Sequence, residues 1–189
     1  MRYLLTIILL LPVLAGVHSC KKYKDAPATT DPRLTNPYCN DPAAVNYNWG
    51  FPGKPDNSVC FYPTDLFQGV YELHDSVFLT SNGYYVFADT LVLTINKHDN
   101  IHIGVIGFCS SGDSITMSAG SNYLAVVDTV ITDSLAKYGQ QLCGIADTVY
   151  GTITKDRIND SILYINLFVA SDTGVITNHL GTAKLKYKK

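Results

Sequence analysis

Glutamate is almost absent from this chain: of its 16 acidic residues, Glu72 alone is a glutamate and the others are aspartates. Glutamate suits helix interiors, whereas the short aspartate side chain bonds nearby backbone N–H groups and favours turns and strand ends. A catalytic pair of two glutamates is therefore excluded, and an acid/base enzyme would have to use aspartates. The 13 tyrosines, together with frequent threonine, valine and isoleucine, favour strands. We predict an all-β protein.

The chain also lacks a strong excess of charge, with 14 basic against 16 acidic residues, so it lacks the basic character of nucleic-acid-binding proteins. It contains no Gly-x-Ser-x-Gly elbow, no phosphate-binding glycine loop and no His-Glu-x-x-His motif. His98 and His102 are four residues apart, but a turn leading into a strand does not bring such a pair together as a helix would. We predict that the protein is not an enzyme and that it binds no metal, no cofactor and no nucleic acid.

A hydrophobic run covers residues 4–17, directly after Met1-Arg2. Its 14 residues fall short of the roughly 20 that a transmembrane helix needs, so residues 1–19 are predicted to be a cleaved signal peptide. Ser19-Cys20 at its end resembles a bacterial lipobox, the site that lipoprotein signal peptidase recognises. The resemblance implies lipid on Cys20 and anchoring to the bacterial outer membrane, at its periplasmic face or on the cell surface.

The alternative is an ordinary secretory signal that leaves Cys20 as a thiol. Five cysteines would then leave one unpaired in an oxidising compartment, whereas lipid on Cys20 leaves an even four. Cysteine arithmetic therefore favours the lipoprotein.

The remaining chain divides into three parts by composition. Residues 20–38 combine lysines and prolines without apolar periodicity, which is typical of a flexible tether. Residues 39–63 form a short segment that begins at Cys39, contains Cys60 and ends at Pro63. Residues 64–189 alternate short apolar stretches with polar turns, which predicts a β domain.

The segment 39–63 resembles a short module of secreted proteins and lipoproteins from Bacteroidota-type bacteria. The residues that carry the resemblance are Cys39, Asp41, Pro42, Ala44, Asn46, Tyr47, Asp56, Cys60 and Tyr62. The resemblance implies a Cys39–Cys60 disulfide, which would stabilise the module by about 3 kcal/mol. Its aspartates and asparagines offer oxygen atoms of the kind that Ca²⁺ uses, but turn capping is the interpretation we favour because the alternation of an EF-hand loop is missing.

Nine stretches of residues 64–189 have the alternating pattern of strands. They lie near 67–78, 84–89, 90–97, 100–108, 113–118, 122–131, 147–154 and 160–169, with 180–188 as a ninth candidate. The fold predicted is a small antiparallel barrel of about eight strands, with a β-sandwich as the second choice. The opening Phe67-Gln68-Gly69-Val70-Tyr71, with Tyr71 at the usual tryptophan position, and the final Gly-Thr-Ala-Lys-Leu-Lys-Tyr strand resemble small lipocalin-like domains of bacterial lipoproteins.

Cys109 and Cys143 remain for each other if Cys39 pairs with Cys60, although four cysteines allow three connectivities. A Cys109–Cys143 disulfide would join Gly107-Phe108 to the loop around Gln140-Gln141, at one end of the barrel. Ligand recognition usually lies in such end loops. Tyr138, Gln140 and Gln141 in that loop are predicted to bind a ligand, such as a sugar or a peptide. The alternative is a loop that simply closes the barrel.

Aspartate is followed by serine or threonine at eight of its fifteen positions. Seven of these pairs continue with an aliphatic residue, which is typical of an aspartate that closes a turn before a strand. The same tripeptide is similar to the O-glycosylation acceptor of exported Bacteroidota-type proteins. That resemblance implies candidate sites at Ser76, Thr90, Ser114, Thr129, Ser134, Thr148 and Ser161.

Taken together, these patterns predict a lipid-anchored, non-catalytic lipoprotein of the cell envelope. It would act as a binding or accessory module for a small ligand, a glycan or an envelope protein. The alternatives are a purely structural, glycosylated surface component and, less favoured, an aspartate-dependent hydrolase.

Overall fold

The computed structural model describes residues 31–129, 139–142 and 147–188, and of residues 86–88 the backbone alone. The predicted signal peptide, Cys20, Ser134, Tyr138 and Cys143 lie outside the described residues. Within the described ranges the strands are β1 (Pro37–Tyr38), β2 (Lys54–Pro55), β3 (Gly69–Leu79), β4 (Tyr84–Lys97), β5 (His102–Ile106), β6 (Ser114–Ala119), β7 (Leu124–Val127), β8 (Gln140–Gln141), β9 (Thr148–Lys155), β10 (Ile162–Ala170) and β11 (Ile176–Tyr187). The helices described are α1 (Pro63–Phe67) and two short 3₁₀ turns, Pro32–Thr35 and Asn57–Val59.

Eight of these strands form one closed antiparallel barrel. Each strand from β3 to β7, then β9, β10 and β11, pairs with the next, and β11 returns to pair with β3. The order around the barrel is therefore the order along the chain, an up-and-down arrangement. Closure removes the two terminal strands that an open sheet would expose, although β4 pairs with β5 only over residues 94–97. The predicted all-β fold, a small lipocalin-like barrel, is confirmed and the sandwich is wrong.

Alternation along each strand determines which side chains enter the barrel. In β10, Leu163, Ile165 and Leu167 are buried while Tyr164 and Asn166 between them are exposed. Burying one face of each strand removes the apolar side chains from water, which is the main favourable term in folding. The apolar faces recognised in the sequence are thus the faces that line the interior.

One strand boundary predicted from the sequence is wrong. Residues 84–89 and 90–97 were expected as two strands, but β4 runs unbroken over 14 residues from Tyr84 to Lys97. The pair Asp89-Thr90 has the composition of a turn, yet Asp89 pairs directly with Asp75 across the β3–β4 ladder. Long-range pairing here overrides local preference, and joining the two stretches reduces the nine candidates to the eight barrel strands.

The short helix α1 closes one end of the barrel, which we call the closed end. Leu66 and Phe67, at its last turn, belong to the hydrophobic core together with Tyr71 of β3. Pro63 stands at the first helical turn, and the Asp65 carboxylate accepts the Tyr62 N–H at 2.8 Å, so the helix start is capped. Sequence reasoning missed this helix because five residues carry too little periodicity.

A buried lysine also belongs to the closed end. The Lys155 side chain is fully buried, and its ammonium donates to the Asp160 backbone carbonyl at 2.7 Å and lies 3.1 Å from the Asp160 carboxylate. Burial lowers the pKa of Lys155, and the contact with Asp160 opposes that shift. Burial also raises the pKa of Tyr71, whose hydroxyl has no hydrogen-bond partner in the described part of the chain.

The disulfide module lies against the barrel through a few specific contacts. Cys39 and Cys60 form the disulfide that the resemblance implies. Val45 packs on the barrel core, and the Lys97 ammonium stands 5.1 Å from the centre of the Tyr62 ring. The module therefore packs against the closed end of the barrel.

The polar side chains of this module cap its turns. Asp41 accepts the Ala43 N–H and the Tyr62 hydroxyl, and Asp56 accepts the Ser58 N–H. The other polar contacts of this kind join Asn46 to Val59 and Phe61, and Asn57 to Asn40. Both aspartates of the module and the side-chain amides of Asn46 and Asn57 are thus engaged within it, as the turn-capping interpretation requires.

A helix long and apolar enough to cross a membrane does not occur in the described ranges.

Candidate functional site

The end of the barrel opposite α1, which we call the open end, contains a cavity of about 230 Å³. Its walls come from eight strands or their ends, and the lining residues are Asp75, Asp89, Leu91, Phe108, Ile115, Leu142, Val149, Leu167, Val169 and His179. Most of these side chains are aliphatic or aromatic. At liquid packing the volume would hold about eight water molecules, so it suits a ligand of about that many non-hydrogen atoms.

The cavity exists because the interior is filled unequally along the barrel axis. Towards α1, inward positions carry large side chains such as Tyr71, Leu93 and Met117, which are fully buried. Towards the open end, the inward positions of β3 and β11 change to Asp75 and Gly181. A carboxylate does not pack as an aliphatic side chain does, whereas the space beside Gly181 is already filled by Leu73, whose Cδ1 a Cβ there would overlap.

The most unusual group in the cavity is the carboxyl of Asp75, which is only 2% exposed. Its Oδ2 lies 2.7 Å from Nδ1 of His179, a residue 104 positions away that the β3–β11 ladder brings alongside. This contact is the one hydrogen bond or ion pair that the described residues make to the Asp75 carboxyl group. The other oxygen, Oδ1, is buried and has no hydrogen-bond partner among the described residues.

A second carboxyl stands at the mouth of the same cavity. Asp89 is the β4 partner of Asp75, so the two side chains extend from directly opposed positions on the inner face of the sheet. The Asp89 carboxylate accepts the Thr90 N–H at 2.7 Å and is otherwise exposed. The cavity thus combines apolar walls with two carboxylates and one imidazole on a single side.

Sequence reasoning missed Asp75, Asp89 and His179 as site residues. Asp75 and Asp89 were interpreted as turn-closing aspartates, and no partner for His179 was evident. A usable signal was present, since Tyr71, Leu73, Asp75 and Val77 occupy successive inward positions of β3. An aspartate within an apolar inward series predicts a buried carboxylate.

Two of the ligand residues predicted from the sequence, Gln140 and Gln141, form β8 beside Leu142 of the cavity wall. Gln140 is buried, and its side-chain amide bonds the Thr116 N–H at 2.9 Å, the Thr116 carbonyl at 2.6 Å and the Asp128 carbonyl at 3.1 Å. These contacts join β6 to Asp128, which follows β7, and give Gln140 a structural role. Gln141 is exposed, and Tyr138 lies outside the described residues. Their role in ligand binding stays a prediction.

The open end is also the end that carries the second predicted disulfide. Cys109 is disulfide-bonded, and its neighbour Phe108 lines the cavity. Because Cys39 and Cys60 pair with each other, the partner of Cys109 lies outside the described residues. The Cys109–Cys143 pairing stays a prediction.

The predicted glycosylation sites occupy two kinds of position. Ser114 and Thr148 begin β6 and β9, Ser161 precedes β10, and Thr129 follows β7, as turn-closing aspartates before or after strands would require. Ser76 and Thr90 lie within β3 and β4 instead, on the outer face, because their preceding aspartates point inwards. Modification of these residues stays a prediction.

A group of three or more histidine, cysteine, aspartate or glutamate side chains able to hold a metal ion does not occur in the part of the chain that the structure describes. The Asp75–His179 pair with Asp89 is therefore considered as a hydrogen-bonding site.

The fold and the cavity define a class of protein, a small closed antiparallel barrel with a polar group buried in an apolar internal site. No protein-family model matches the chain, and a search of curated proteins found no match.

Proposed function

We propose that this protein is a lipid-anchored, non-catalytic binding module of the bacterial envelope, whose barrel holds a small ligand at its open end. The observation that carries the proposal is the Asp75 carboxylate, buried in an apolar cavity with one oxygen lacking a partner among the described residues. Leaving a buried polar group unsatisfied costs about 1–3 kcal/mol. A purely structural barrel gains nothing from that cost, whereas a binding site recovers it when a ligand donates a hydrogen bond.

The location rests on the N-terminal sequence. Cys20 after the apolar run supports lipid attachment at the outer membrane, on its periplasmic face or at the cell surface. The Cys39–Cys60 disulfide supports export, because disulfides persist in oxidising compartments. The tether of residues 20–38 would let the barrel move relative to its lipid.

Lipid attachment is tested by substituting Cys20. Radiolabelled fatty acid should enter the wild-type protein and a Lys21→Ala control, and the Cys20→Ala variant should carry no label and leave the membrane fraction. The reason is that the thiol is the acceptor of the lipid, whereas the neighbouring ammonium takes no part in the bond. Label on the Cys20→Ala protein would contradict the lipoprotein assignment.

Ligand binding is tested by filling the cavity. Val169 lines it from β10, so Val169→Trp would occupy the space that a ligand needs. Native mass spectrometry of protein purified from its own membrane should show a retained small molecule on the wild type and none on Val169→Trp.

The matched control is Val126→Trp, which places the same side chain on the outer face of β7, where Val126 is 43% exposed. This variant should keep the small molecule. Circular dichroism melting would show whether both variants fold. A molecule retained equally by the two variants would contradict binding in the cavity.

A second candidate function is acid/base catalysis, favoured by the convergence of Asp75, Asp89 and His179 in one cavity. Such a pairing resembles the orienting half of many catalytic arrangements, in which a buried aspartate holds an imidazole. Among the described residues, the lining includes no serine, threonine, cysteine or lysine to act as a nucleophile. Binding is therefore the function that the geometry supports best.

A further inference from the structure

The polar groups of the cavity have a definite hydrogen-bonding preference. Asp75 Oδ2 is engaged by His179, so the oxygen that remains for a ligand is Oδ1, which is buried and has no partner within the described ranges. A ligand that satisfies this oxygen must donate a hydrogen bond. An acceptor group, such as a ketone or a carboxylate, would leave it unsatisfied.

The charge of the cavity narrows the choice of donor. The lining residues that the structure describes include two carboxyl groups, Asp75 and Asp89, and neither lysine nor arginine. The described lining thus carries two carboxyl groups against one imidazole, an acidic balance. Hydrogen bonds between a cation and a carboxylate are roughly twice as strong as neutral ones, and a low-dielectric site strengthens them further. The site therefore favours a cationic donor and disfavours an anion.

The apolar residues of the cavity wall indicate the chemistry of the rest of the ligand. Leu91, Ile115, Val149 and Leu167 line the cavity with aliphatic groups, and Phe108 adds an aromatic ring. Such a surface offers few partners for further polar groups, so the body of the ligand must be apolar. The volume of about 230 Å³ restricts the ligand to a compact molecule.

Resting on the proposed binding function, we propose that the ligand is a small primary amine with an apolar body, whose ammonium binds Asp75 Oδ1 beside Asp89. His179 is a positioning residue, since its imidazole holds the carboxyl group by the 2.7 Å contact to Oδ2 and leaves Oδ1 without a partner among the described residues. Asp89 adds negative charge at the mouth from its position opposite Asp75.

Three probes of nearly equal size test the assignment: 2-phenylethylamine, which is a cation, 2-phenylethanol, which is neutral, and phenylacetate, which is an anion. Titration calorimetry would use the full mature lipoprotein in lipid nanodiscs, with empty nanodiscs as the blank. The variants are Asp75→Asn and the control Asp172→Asn, which removes the same charge from the exposed β10–β11 turn at the same end of the barrel.

We expect the wild type to bind the amine at least about tenfold more tightly than the alcohol, and phenylacetate not to bind. Asp75→Asn should lose at least about tenfold in amine affinity while alcohol affinity changes by less than about twofold. Asp172→Asn should keep the preference for the amine. If Asp75→Asn does not fold, Asp89→Asn should weaken amine binding about threefold, and unchanged affinity there would overturn the assignment.

The amine assignment is overturned if the wild type binds the amine no better than the alcohol, if it prefers phenylacetate, or if the preference survives in Asp75→Asn. These results would not affect the proposed binding function, provided that Val169→Trp, unlike Val126→Trp, loses the molecule retained from cells. Failure of that comparison would instead overturn binding in the cavity itself.

Discussion

Replacing Phe67 with alanine is expected to lower the free energy of unfolding by about 4 kcal/mol. Phe67 is the last residue of α1, is fully buried and belongs to the barrel core at the closed end. Removing its ring loses apolar burial and leaves a cavity that the surrounding strands cannot fill, because their positions are set by the ladder of a closed barrel. Urea unfolding followed by circular dichroism measures the change.

The matched control is Phe51→Ala in the disulfide module. Phe51 is 69% exposed and makes an edge-to-face contact with Tyr38, with ring centres 5.8 Å apart. Losing that contact should cost at most about 1 kcal/mol. Equal destabilisation by the two substitutions would show that α1 does not close the barrel in the way described.

The second large effect is expected at Gly151 in the middle of β9. Its φ of +132° is a conformation that side chains rarely adopt, and a Cβ there would overlap the Asn166 carbonyl oxygen on β10. Gly151→Ala should therefore lower the free energy of unfolding by about 4 kcal/mol, because backbone strain and forced separation of the strands both contribute. Urea unfolding would detect it.

The Gly83→Ala variant separates the cost of backbone strain from the cost of forcing the strands apart. Gly83, in the β3–β4 turn, has φ +66°, but a Cβ there would meet nothing within 4 Å. This variant should lose only the conformational part, about 1 kcal/mol. If Gly151→Ala is no more destabilising than Gly83→Ala, the close approach of β9 and β10 is not as the structure describes it.

The two ends of the barrel differ in how completely their buried charged side chains are paired. At the closed end, the Lys155 ammonium has both a carbonyl and a carboxylate of Asp160 as partners. At the open end, Asp75 has a partner on one oxygen only within the described ranges. Paired buried charge is compatible with a structural role, whereas incomplete pairing beside a cavity is a characteristic of binding sites. This contrast is why the proposals concern the open end.

The sequence predicted the end of the barrel at which the cavity lies, but not the chemical groups that line it. Sequence reasoning directed attention to the end near Cys109, where Phe108 and Leu142 line the site. It expected neutral hydrogen-bonding groups from Gln140, but that amide bonds backbone groups of β6 and of the chain after β7. The inward or outward direction of a loop residue has no periodic signal, so only packing could decide it.

The sequence by itself determined the fold class, because a period of two in hydrophobicity is a local property that each strand expresses independently. The apolar faces and the final lysine-bearing strand followed from that rule, and the Cys39–Cys60 bridge followed from a resemblance within a short segment. The tertiary structure decided which strands pair, that β4 continues through Asp89-Thr90, and that Asp75 meets His179 across 104 residues. Contacts of that separation depend on barrel closure and register, which no local pattern encodes, and the binding site is built from them.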